Sequence, residues 1–139
     1  MAPNADTISR KLFSLNEALR ELARPSASDA TALTTDSMLR AAVERWLQVA
    51  IEACVDIATH VIGDKGWTPP GNARASFQIL AGHNLIPLDL AHRLSLAASL
   101  RNLLVHDYAT IDLERLAATV RDDLGDLRSF ASLAVSWLQ

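Results

Sequence analysis

Apolar residues recur at helical spacing along nearly the whole chain. Ile8, Leu12, Leu15, Leu19 and Leu22 form one stripe, because positions three or four apart share a helix face. The stripe predicts a first helix from about Asp6, read as its N-cap, to Ala23. "RPSASDATALTTDS" then breaks the pattern, and its Ser, Thr, Asp and Pro content predicts a loop. A long second helix is expected from Thr35 or Asp36 to Gly63. Between Ala41 and Ile62, 15 of 22 residues are apolar, too many for a single buried stripe.

Polar residues on that helix fall at every fourth position: Glu44, Gln48, Glu52, Asp56 and His60. At 3.6 residues per turn such a row forms a ridge that drifts by about 40° per step, and it reads most simply as a solvated stripe. Val43, Trp46, Leu47, Val49, Ile51 and Val55 flank it on both sides. A helix this apolar is either central in its own bundle or covered by a second chain as well. The second reading, a homodimer seam, is the one favoured by the sequence.

"GDKGWTPPGN" predicts a loop by its Gly and Pro content, followed by a short helix that carries Phe77 and Leu80 and ends near Gly82. Pro87 suits a first helical position. Leu90, Leu94, Ala97, Leu100 and Leu104 then predict a helix that holds Arg101 and ends around His106. Asp112 is expected to cap a last helix. There Leu113, Ala117, Val120, Leu124, Leu127, Ala131, Ala134 and Leu138 alternate steps of four and three, as in packed bundles. The expected fold is all-α: an up-and-down bundle of four long helices and one short one, in a single domain over residues 1–139.

Composition agrees with that picture, since half the residues are hydrophobic and Gly and Pro are few. Charges interrupt every long apolar run, so no membrane-spanning helix is expected. The first residues, "MAPNADTISRKLF", lack the layout of a signal peptide. Cys54 is the sole cysteine, which excludes an internal disulfide, fits a reducing compartment and reads as a small core residue. A cytoplasmic protein is expected. The net charge of −3 argues against a strongly basic nucleic-acid binder, but it is unevenly spread. From Asn72 to His106, Arg74, Arg93 and Arg101 stand against Asp89 alone, a local +2 that leaves −5 elsewhere. His83, His92 and His106 lie in the same segment. It is either chance clustering or a local anion-binding surface.

The histidines are too scattered for a metal site, no metal or other cofactor is expected, and no phosphate-binding glycine loop or nucleophile elbow is present. The stretch with the most chemistry is "RNLLVHDY", residues 101–108. On an ideal helix Arg101 and Tyr108 project to nearly the same side, while Asn102 and His106 share a neighbouring face. Arginine's fork suits phosphodiester oxygens, and histidine suits proton transfer at neutral pH. Together they suffice for metal-free RNA cleavage, in which a ribose 2′-OH attacks its own phosphate. One chain offers only one such histidine; a two-fold dimer supplies two. Residue by residue, ordinary structural roles at a helix end remain open.

Arg101, Asn102, Val105, His106 and Tyr108 together resemble the signature of the HEPN superfamily, and more narrowly of the HepT toxins: Arg, four residues, His, one residue, Tyr. "ERWLQVAIEACVDIATHVI", "GHNLIPLDLAHRL" and "TIDLERLAATVRDDLGDLRSF" resemble further segments of that family. The likeness extends from about Thr7 to Phe130. It implies a dimeric, metal-independent endoribonuclease, the toxin of a toxin–antitoxin pair whose antitoxin is a minimal nucleotidyltransferase of the MntA type. By the same resemblance Arg101 and His106 are the catalytic pair, Asn102 supports RNA in the cleft, and Tyr108 accepts AMP from the antitoxin. The alternative from a different class is a non-catalytic helical partner that binds a nucleotidyltransferase or presents a substrate to it.

Overall fold

The computed structural model describes residues 3–106 and 112–138, with side chains described for 5–100 and 112–138. Six α-helices follow one another: α1 (Pro3–Leu22), α2 (Ala30–Thr35), α3 (Ser37–Asp64), α4 (Ala73–Gly82), α5 (Leu88–His106) and α6 (Leu113–Ser136). A 3-10 turn, Pro25–Ser28, lies between α1 and α2. The all-α bundle expected from the sequence is therefore present, with its four long helices and the short α4.

Two starts differ from expectation. Helix α1 begins at Pro3, so Asp6 sits in its first turn and complements the helix dipole there instead of capping it. Pro87 precedes α5; its carbonyl accepts from the Ala91 N–H at 3.0 Å, the role of a cap residue. The stretch after α1 is not a plain loop. Asp29 accepts hydrogen bonds from the N–H groups of Thr31 and Ala32, which starts the six-residue α2. Leu33 of α2 and Ala27 of the turn before it are buried. Asp36 and Asp112 cap α3 and α6 as predicted, accepting from Met38 and Leu39 and from Glu114 respectively.

Helix α3 is the centre, touching every other described helix. Val43, Leu47, Ala50, Ile51, Ala53, Cys54, Ile57, Ala58, Val61 and Ile62 are all buried within this one chain. Trp46, Val49 and Val55 are half-buried against the same core. The chain's own bundle thus covers most of the apolar surface of α3 and leaves Trp46, Val49 and Val55 partly exposed. Part of the polar ridge goes inward too, with Glu44 and Gln48 buried. By length and composition α3 is apolar enough to cross a membrane, contrary to expectation, yet 56% of that window is buried inside the bundle. That is how the core helix of a helical bundle looks.

Three long-range contacts fix the packing directions. Lys11, near the middle of α1, pairs with Asp56, in the second half of α3, at 3.0 Å, which ties the two helices together. The Ser95 hydroxyl, bonded to the Ala91 carbonyl at 2.8 Å, shares its proton with the Arg74 carbonyl at 3.2 Å, which links α4 to α5. Arg121 of α6 donates to the Ser28 carbonyl at 2.8 Å, tying α6 to the α1–α2 connection. The start of α6 therefore lies toward the end of the bundle where α3 begins. Phe130 meets Phe77 edge-on at 5.8 Å and Trp137 at 5.6 Å, which joins α4 and α6.

Candidate functional site

Helix α5 carries the candidate residues, and its first three turns are held by packing and by hydrogen bonds. Leu90, Ala91, Leu94, Ala97 and Ala98 are buried, so two neighbouring strips of the helix are packed at once. Ser95 and Ser99 donate to the carbonyls one turn earlier, at 2.8 and 3.3 Å, which lets these hydroxyls sit against the core without losing a partner. On the opposite side α6 grips α5 through Arg93, whose Nε donates to Asp126 at 2.9 Å. Asp89 joins the same guanidinium at 3.4 Å.

Arg101, Asn102 and His106 lie on the last two turns of this helix by their backbone. A five-residue separation places the Arg101 and His106 backbones about 7.5 Å apart along the axis. Their side chains, and Tyr108 as a whole, lie outside the described residues. Because α5 runs antiparallel to α6, its final turns share an end of the bundle with the start of α6 and the first turns of α3.

Of the ridge residues on α3, Asp56 does not stand by itself. It is paired with Lys11, and both side chains are partly exposed, which marks that contact as a surface link between α1 and α3. The Arg45 guanidinium donates to Gln48 at 3.4 Å. Burial pushes the Glu44 carboxyl up, partly opposed by Arg40. Burial likewise raises the Cys54 thiol, which leaves it an inert core residue, as its sequence context predicts. On α6, burial and then the charges of Asp126 and Asp122 push Asp123 up to about 6. Among the described residues no three His, Cys, Asp or Glu side chains gather to hold a metal ion.

One aromatic contact has no counterpart in the periodic pattern of the sequence. Trp67 and His83 stack face to face, their ring centroids 3.6 Å apart and their planes within 4°. Both lie in segments that connect helices. The available signal was a tryptophan set in a Gly- and Pro-rich turn, where large aromatics need a surface to cover.

Comparison with known proteins adds a further constraint. The family described as Ribonuclease HepT-like matches residues 15–134. The mRNA nuclease HepT of Shewanella oneidensis is 31% identical over 125 residues, covering 90% of this chain and 93% of that protein. A solved structure of the tri-AMPylated Shewanella oneidensis HEPN toxin in complex with MNT antitoxin superposes with a TM-score of 0.85. It is 30% identical and covers 94% of this chain and 98% of that one. The Bacillus subtilis cytosolic protein YutE, of unknown function, shares the fold with a TM-score of 0.84 at 19% identity, over 96% of this chain and 89% of its own. With most of its length matched, the chain belongs to the HepT-like ribonuclease family.

Proposed function

We propose that this protein is an RNA-cleaving toxin, acting in the cytoplasm as a single HEPN domain across residues 1–139 and as a homodimer. The observation that carries the reading is the placement of Arg101 and His106 on the final turns of α5 in a chain of the HepT-like family. Neither residue needs a metal for this chemistry. One His106 takes the proton of a ribose 2′-OH as that oxygen bonds to the adjacent phosphorus. The P–O5′ bond breaks, and the second His106 of the dimer donates a proton to the departing oxygen. Arg101 offsets the charge that builds on the phosphoryl oxygens, and Asn102 holds the strand by hydrogen bonds. The products are a 2′,3′-cyclic phosphate and a free 5′-hydroxyl.

Neutralisation is read from the same stretch of sequence. A minimal nucleotidyltransferase of the MntA type transfers AMP from ATP to the Tyr108 hydroxyl, releasing pyrophosphate. Tyr108 is the sole tyrosine in the chain and hence the sole phenolic acceptor. The added phosphate, two residues from His106, competes with the RNA phosphate for Arg101 and His106. The solved relative that is AMPylated and bound to its antitoxin supports this reading. Expression in cells tests it: the wild-type chain arrests growth, His106→Ala does not, and co-expressed nucleotidyltransferase restores growth while adding AMP at Tyr108. Neutralisation with Tyr108 unmodified would replace the modification step by inhibition through binding alone. Stable complex formation with neither cleavage nor growth arrest would make the chain a non-catalytic partner instead.

A further inference from the structure

Helices α3 and α4 end in the same way. Gly66, at φ 72°, follows α3; its N–H bonds to Gly63 at 3.2 Å, and the Trp67 N–H reaches Ile62 at 3.1 Å. Asn84, at φ 63°, follows α4; its N–H bonds to Ala81, and the Leu85 N–H to Leu80, both at 3.0 Å. Each is a Schellman-type stop, which turns the chain back across the helix just finished. The turn after α3 lays Trp67 against His83, the C-cap of α4. The indole is half-buried and the imidazole exposed, so the indole supports a flat ring that faces solvent. Beside the pair opens a cavity of about 420 Å³, walled by Pro69, Pro70, Ala75 and Ile79. That size falls in the range of small-ligand pockets.

The segment that supplies the lining of this cavity is locally basic. Residues 65–88, bounded by Asp64 and Asp89, contain no Asp or Glu, while Lys65 and Arg74, close in sequence to the lining residues, supply positive charge in a protein of net −3. Both are exposed, and neither forms an ion pair among the described residues. Aromatic faces interleaved with cations are what single-stranded nucleic acids require, because every base has a π-face and every nucleotide a phosphate. The two helix C-termini meeting here carry partial negative charge, which disfavours a phosphate inside the cavity but suits a neutral base bearing N–H donors.

We propose that this cavity is a base-stacking subsite for single-stranded RNA, an inference that rests on the ribonuclease reading above. An unstacked base lies on the outer face of His83 between the proline wall and Ile79. Lys65 and Arg74 meet the phosphates on either side. Helix α5 separates the subsite from the Arg101–His106 end by about 27 Å of helix rise, the length of about eight stacked nucleotides. The subsite therefore anchors a distant part of the substrate strand and selects for RNA with an accessible single-stranded extension.

The test is equilibrium binding of a fluorescein-labelled 12-nucleotide 2′-O-methyl oligoadenylate, which cannot be cleaved, to the full chain. His83→Ala removes the exposed ring, and His83→Tyr restores a planar one; circular dichroism checks that both variants fold. His83→Ala should weaken binding roughly fivefold to a hundredfold, the range for losing one stacked base, and His83→Tyr should recover most of it. A single abasic position in the oligonucleotide should weaken wild-type binding and leave His83→Ala binding unchanged. Equal affinity of His83→Ala and wild type, in a protein that binds the oligonucleotide, overturns the subsite and leaves the ribonuclease reading standing. AMP binding as tightly as the 12-mer would assign the cavity to a free nucleotide and overturn the RNA assignment. A wild-type chain that binds no RNA overturns both.

Discussion

Arg93 of α5 donates to Asp126 of α6 at 2.9 Å, and the two residues stand at matching distances from the facing ends of their helices. Arg93 lies thirteen residues before the end of α5, and Asp126 thirteen residues after the start of α6. The pair sets the register between α5 and α6, and the last turns of α5 carry Arg101 and His106. Arg93 is largely in solvent, so the link is expected to be weak and screened by salt. Asp126→Asn should lower the melting temperature slightly at low ionic strength and not at all near 1 M salt. A loss independent of salt would show that Asp126 acts through packing.

Asp123, one turn from that pair, should make stability depend on pH. Its folded-state value of about 6 lies above the ordinary 3.8. The folded protein thus holds this proton more tightly than the unfolded chain does. Its contribution is fully favourable below about pH 4 and is lost as pH rises toward and through 6. Asp123→Asn should therefore stabilise the protein at pH 7–8, by about 1–2 kcal/mol after allowing for solvent screening, and change little at pH 4. Urea unfolding at the two pH values reads this directly. A destabilised variant at pH 8 would contradict it.

Phe130 is fully buried and meets both Phe77 and Trp137. Phe130→Ala should cost about 3–5 kcal/mol by opening a cavity where α4 and α6 join. The urea midpoint should fall with little change in the slope of the transition.

The α3 cap predicts a smaller effect. Asp36 accepts from the N–H groups of Met38 and Leu39, each at 3.1 Å. Asp36→Ala should cost about 1 kcal/mol, while Asp36→Ser should cost much less. Equal losses in the two variants would mean that the side-chain cap is not what holds the start of α3.

What could be read from the sequence was what repeats along a helix. The stripes of α1 and α6 are buried or half-buried at every predicted position, because a 3.6-residue period depends on nothing beyond the helix itself. Asp36 and Asp112 were legible as caps because each precedes a periodic run. Helix α2 was hidden, since six residues are too few to show a period and its Thr-rich sequence resembles a loop. The burial of Glu44 and Gln48 was also hidden. A ridge drifting by 40° per step must cross a packed face somewhere, and only the neighbouring helices determine where. The same limit applies to α3: its excess of apolar surface is visible in the sequence, but how much of it its own chain covers depends on the neighbouring helices. The Arg101–His106 spacing was legible because both residues lie on one helix. The Trp67–His83 stack joins two segments sixteen residues apart and leaves no periodic trace.

The central claim is that Arg101 and His106 cut RNA without a metal. The most direct measurement is cleavage of single-stranded RNA by purified wild-type and His106→Ala protein in excess EDTA, with the new 5′ and 3′ ends identified. Wild type should leave cyclic or 3′-phosphate ends and 5′-hydroxyls, and His106→Ala should lose activity by about 10²- to 10⁴-fold. Cleavage by His106→Ala at the wild-type rate would contradict the account.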